Sequence, residues 1–253
     1  MSWVLSMLWG LSLARGVPPV DVVQQLGEGV RVNWSTLQIE VDASAYSPTV
    51  ASLRAVEQLA RREVEAAIQH NVGGIPVTSE LELEALLQDD DLGPSLRARV
   101  SRWIVREATY GSSGRVWLRA ELSLQDTLKP WVLARAQPHD ASLEPAGAYT
   151  GLIIDVRGQR ARPAYAPRIL DAQHHVLFDS ALDEIQAVTE PPFLFVSDPA
   201  HPAATCAGAR PLIVAATLAQ RSDLVLSRAD AERVVGAIEV LRRGHIVVVV
   251  DAS

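Results

Sequence analysis

Near its C-terminus the chain runs through five consecutive β-branched residues, Ile246-Val247-Val248-Val249-Val250. A strand that is apolar on both faces has to lie inside a sheet covered on both sides, so this segment predicts a central strand. The residues before it supply part of the cover. Ser227-Arg228-Ala229-Asp230 has the form of a capping box, and Ala231, Val234, Val235, Ile238 and Leu241 follow at helical spacing. Arg242-Arg243 stand at the negative end of that helix and Gly244 stops it. Further apolar runs at 149–156, 174–178, 193–196, 212–217 and 223–226 predict the other strands. The stretch 161–170, with Pro163 and Pro167, belongs at a sheet edge or in a loop. Strand, helix and strand in this order imply a crossover or split unit within an α+β sheet.

The first half carries its own pattern. Residues 30–41 read as one strand with apolar groups on both faces. Ser47-Pro48 then offers an N-cap with proline at the first helical position. Val50, Leu53, Val56, Ala60, Val64, Ala67 and Ile68 recur at helical spacing, with Arg54, Glu57, Arg61 and Glu65 opposite and Gly73-Gly74 closing the helix. Two short helices are expected at 80–87 and 94–102. Strands at 103–110 and 115–124 are joined by Gly111-Ser112-Ser113-Gly114, a hairpin connection. Residues 128–147, with Pro130, Pro138 and Pro145, read as a semi-rigid spacer with room for one helical turn. The expected architecture is α+β: two small domains, 28–127 and 148–253, each with helices packed on a mixed or antiparallel sheet.

The net charge of −7 speaks against a general nucleic-acid binder, which needs a basic face to displace counterions. Residues 1–13 form an uncharged apolar run followed by Ala14-Arg15-Gly16. This fits the hydrophobic core and cleavage site of a secretory signal spanning 1–16, and it is too short for a bilayer span. No other segment is apolar for long enough to cross a membrane, so no integral span is expected in the mature chain. Cys206 is the single cysteine. It can form no intrachain disulfide and does not stand where a lipoprotein anchor would be attached.

A search for chemistry finds no nucleophile elbow and no phosphate loop; Gly111–Gly114 lies between strands and lacks a following Lys-Ser/Thr. Among His70, His139, His174, His175, His201 and His245 there is no i, i+4 pair, and neighbours on a strand, such as His174-His175, point to opposite faces. Asp89-Asp90-Asp91-Leu92-Gly93 lacks the bidentate Glu of a calcium loop and reads as a solvated acidic turn. Cys206 has no CxxC partner, and the pair Asp183-Glu184 is indistinguishable from a helix surface. The expectation is a non-enzyme with no catalytic residues, cofactor or metal. The alternative is a ligand- or cell-wall-glycan-binding module, with Trp131 as a candidate aromatic at the interdomain cleft.

Several segments carry a resemblance. Val32-Asn33-Trp34, the helix at 52–68 with Ala-Arg-Arg-Glu-Val-Glu-Ala-Ala, Val72-Gly73-Gly74-Ile75-Pro76-Val77, Ile104-Val105 through Tyr110, and Gly114-Arg115-Val116-Trp117-Leu118 are the marks. Over residues 30–124 they resemble a bacterial envelope family that includes small outer-membrane lipoproteins, the flagellar basal-disk protein P and the N-terminal domain of flagellar assembly protein T. The second half looks like a segment that follows this domain in many uncharacterised exported proteins. The resemblance implies a periplasmic structural or assembly role, associated with the outer membrane. The implied partners are envelope or flagellar-basal-body proteins, or further copies in a homo-oligomer. Two departures bear on this: the lipidated cysteine of the lipoprotein members is missing, and the small flagellar members lack the long C-terminal half.

Overall fold

A computed structural model describes residues 20–48, 52–135, 149–179, 193–237 and 245–251. The first sheet is antiparallel throughout: β1 (Val23–Gly27), β2 (Val30–Asn33), β3 (Gln38–Tyr46), β4 (Ile104–Tyr110) and β5 (Arg115–Ser123) in the order β1-β2-β3-β5-β4. Its spine is the β3–β5 pairing, in register from Gln38 opposite Ser123 to Tyr46 opposite Arg115. Alternation decides the faces. Ile39, Val41, Val116, Leu118, Ala120 and Leu122 are buried, while Asp42, Trp117 and Arg119 point to solvent. Helix α1 (Leu53–Asn71) covers the apolar face with Val56, Ala60, Val64 and Ile68, all buried. Each large aliphatic side chain so removed from water contributes about 1.5–3 kcal/mol.

The structure differs from the sequence reading in the first half at four places. Residues 30–41 are two strands, because the chain reverses at Trp34–Leu37. Asn33 Oδ1 accepts the amides of Ser35 (3.0 Å) and Thr36 (3.2 Å), and Leu37 adopts φ 52° to complete the turn. The N-cap of α1 is Ser52, whose hydroxyl accepts from the Ala55 amide, and not Ser47. Strand β1 has no counterpart among the expected elements. Finally, the start of the expected spacer is helical: α4 (Leu124–Arg135) follows β5 without a loop and buries Leu128, Trp131 and Val132. Pro130 sits inside it. A proline there leaves the carbonyl four residues earlier without its helical donor. That carbonyl, on Asp126, accepts instead from Arg99 at 3.0 Å, a residue of α3 (Gly93–Val100), which follows the short α2 (Leu83–Leu87) and packs beside α4. Residues 136–148 lie outside the described residues.

The second sheet is mixed: β6 (Gly151–Asp155), β7 (Arg168–Leu170), β8 (Val176–Asp179), β9 (Phe193–Val196), β10 (Pro211–Ala219), β11 (Asp223–Leu226) and β12 (Ile246–Val249) in the order β8-β7-β11-β10-β6-β12-β9. β12 lies between β6 and β9, parallel to both, and all four of its residues are buried, as an apolar β-branched run requires. Of the expected edge stretch, 161–167 is loop; β7 lies one strand in from the edge. Helix α5 (Arg228–Val235) has the expected cap, Ser227 Oγ accepting the Asp230 amide at 3.2 Å, and buries Ala231 and Val234. Gly151 is required in β6, since a Cβ there would stand 2.4 Å from the Ala207 carbonyl oxygen of a 3-10 turn, Pro202–Ala207, crossing the sheet. Both sheets carry helices, and the fold is α+β. Helix α5 ends at Val235, which is exposed and not turned inward as its spacing suggests; the rest of the expected helix, Ile238–Gly244, and the expected signal at 1–16 lie outside the described residues.

The two halves meet at a buried seam: most buried residues of both sheets lie in one shared cluster, and a smaller second cluster, with Ile153, Val196, Val247 and Val249, packs under the 3-10 turn. The Trp34 ring packs edge-on against Phe195, with centroids 5.9 Å apart at 70°. Ser35 Oγ donates to the Phe195 carbonyl at 2.7 Å and accepts the Val22 amide at 2.9 Å. At the other end, the amides of Tyr165 and Ala166 donate to the carbonyls of Pro76 (3.0 Å) and Val77 (2.8 Å).

Candidate functional site

Polar groups placed by both halves fasten this seam. Asp223, the first residue of β11, is fully buried; its carboxylate takes two bonds from the Arg168 guanidinium (2.6 and 3.0 Å), one from the Arg168 amide (3.0 Å) and one from Ser79 Oγ (2.9 Å). Every acceptor position of consequence is occupied, which is what burial of a carboxylate demands. At the opposite end, His201 Nδ1 accepts the Ala203 amide, so Nε2 carries the proton and donates to Asp21 at 2.8 Å. Asn33 Nδ2 holds the other Asp21 oxygen at 2.7 Å. With both ring nitrogens engaged structurally, His201 serves as a clasp. Sequence reasoning missed it, because its partner lies 180 positions away.

Three open surfaces remain as candidates. A polar cleft of about 530 Å3 lies along the seam between Thr78–Gln88 and the β10–β11 turn, where Arg162 pairs with Glu82 at 2.9 Å. A second cleft, of about 600 Å3, lies on the other side of that turn and is lined by β1, the 160–163 segment, Arg221 and Asp251. The turn itself is unusual. Gln220 (φ 49°) and Arg221 (φ 71°) are both left-handed, a conformation that costs an L-residue with a Cβ about 1–2 kcal/mol and normally selects Asn-Gly. Arg221 lines both clefts. Backbone strain of this kind persists where surrounding structure enforces it, often at ligand sites.

The third surface is the solvent face of the first sheet. Arg115 lies over two aromatic rings, 5.6 Å from the Tyr46 centroid and 5.9 Å from that of Trp117. These rings are 48% and 44% exposed, far more than aromatics committed to a core. Beside them runs a charge ladder in which Arg31 bridges Glu40 (2.6 Å) and Asp42 (2.8 Å), and Arg119 bridges Asp42 (3.0 Å) and Glu107 (3.5 Å). Burial pushes the Asp42 carboxyl upward, but hydrogen bonds from Arg31 and Arg119 outweigh it and hold the pKa below the usual range. The edge strand β4 is guarded by a bulge between Val105 and Glu107 and by the charges of Arg106 and Glu107. Such an edge resists pairing with another strand, so the aromatic face is the better docking surface.

The residues singled out from sequence fall in local structure. Gly111–Gly114 closes the β4–β5 hairpin, with Gly114 at φ 84°. Asp89 Oδ1 accepts the amides of Asp91 and Leu92 just before α3, and His175 Nδ1 meets Asp171 Oδ2 at 3.0 Å in the turn before β8. Cys206 is half-buried in the 3-10 turn. His139 and Asp183-Glu184 lie outside the described residues. Trp131 corrects an expectation: at 1% exposure it belongs to the core under α4 and presents no ring to a cleft. Among the described residues no three His, Cys, Asp or Glu side chains come together to hold a metal ion, and no helix is long and apolar enough to cross a membrane.

Residues 151–252 match the family model of the second domain of Treponema pallidum Tp0624. The match begins at the first residue of β6 and takes in every strand of the second sheet, so this half of the chain is similar to that domain as a structural unit. No curated protein matches the chain.

Proposed function

We propose that the protein is a non-catalytic structural or assembly component of the bacterial periplasm, working at the outer membrane through protein–protein contacts. The carrying observation is the Tyr46–Arg115–Trp117 face, a rigid sheet surface on which two aromatics and a guanidinium lie open to solvent. Tyr, Trp and Arg are the residues that most often anchor interfaces. The buried cluster shared by both sheets supports the reading, because a scaffold has to transmit position without yielding. The sequence resemblance of residues 30–124 to an envelope family is the reason for proposing envelope or flagellar-basal-body proteins, or another copy of the chain, as partners.

A photo-crosslinking residue placed at Trp117, with fractionation of the cells, tests this. The expected product is a crosslink to an envelope protein or a second copy, recovered with the periplasmic fraction and lost in Arg115→Ala. A chain recovered from the cytoplasm with no crosslinked product would sink the proposal.

A further inference from the structure

We propose that the cleft of about 600 Å3 beside the β10–β11 turn binds a small amphiphilic anion, an acidic head group on an aliphatic body. Three arginines, Arg160, Arg162 and Arg221, line it in a chain whose net charge is −7. Arg162 is paired with Glu82. Arg160 and Arg221, both exposed, have no carboxylate partner among the described residues. The one carboxylate in the lining, Asp251, already accepts the Gly158 amide with both oxygens, at 3.0 Å each. The same lining includes Val22, Val23, Pro163 and Val250, apolar groups that an alkyl chain would meet.

The volume is that of a small-molecule site. Guanidinium forks match the oxygens of carboxylate and phosphate. The backbone makes a second, independent point. Gln220 and Arg221 both adopt positive φ, where glycine would be conformationally easier, and the Arg221 side chain lines this cleft as well as the polar one.

Calorimetric titration of the intact protein with octyl phosphate and with octanoate tests it, with inorganic phosphate and the neutral octyl glucoside for comparison. At least one amphiphilic anion should bind saturably, one per chain, more tightly than either comparison compound. Which head group binds better identifies the acid. Affinity should fall at least tenfold in Arg160→Ala and in Arg221→Gly, and should weaken with added salt. Arg221→Gly should also melt no lower than the parent, which separates lost binding from lost folding. Absence of saturable binding by both amphiphiles overturns the proposal, as do equal binding of inorganic phosphate or undiminished affinity in the two variants.

Discussion

Asp223 shows what one buried group asks of its surroundings. Its carboxylate is reached by Arg168 twice through the side chain and once through the backbone, and Ser79 arrives from the other half of the molecule. Removing the cation while leaving the anion in place strands a buried charge. Arg168→Ala should therefore destabilise the fold by about 3–5 kcal/mol in urea denaturation. A loss under about 1 kcal/mol would mean that water reaches Asp223 and the seam is looser than described. None of this was readable in the sequence, where Ser79, Arg168 and Asp223 are separate polar residues with no shared spacing. Asn33 is intermediate: an Asn at the end of an apolar run is a turn signal, but the apolar residues after it, Trp34 and Leu37, read as more strand. They are buried in the turn, and that burial made the two states look alike.

At the scale of elements, legibility followed periodicity. Helix α1, the β4–β5 hairpin, the cap of α5 and strand β12 were all evident, because each rests on a local pattern of burial or turn chemistry. Helix α4 was hidden by Pro130, since the acceptor freed by that proline is satisfied by Arg99, a residue far away in sequence. The outer face of the first sheet has its own signature. Asp42 is held ionised by Arg31 and Arg119, so its folded-state pKa lies below its unfolded one. Its contribution is complete above the ordinary carboxylate range, about pH 4, and is lost as pH falls through the lowered value. Partial exposure and salt screening keep that contribution modest. Melting temperature should thus hold steady near neutrality and drop below about pH 4, and Asp42→Asn should flatten that drop. An unchanged profile in the variant would show that the ladder carries no stability.

For the whole molecule, the decisive fact is that the larger buried cluster is shared by both sheets, so the two halves join across a packed seam. Tryptophan fluorescence and far-UV circular dichroism should report a single coincident unfolding transition. Two separated midpoints would show that the seam does not couple the two halves. The α+β class itself was legible, because it needs only the strand and helix patterns; how the sheets join depends on residues such as Trp34 and Phe195, which no local pattern connects.

The hook formed by Ser35 and Phe195 has one more implication. Its two ends are 160 positions apart, and those of the Asp21–His201 clasp are 180 apart. A ribosome delivers the earlier end first, so the leading sheet emerges with a vacant socket that only much later residues can fill. Contacts of such long range close slowly. The nascent protein must therefore pass through most of its synthesis unfinished, and its final shape is settled by the last third of the chain to arrive.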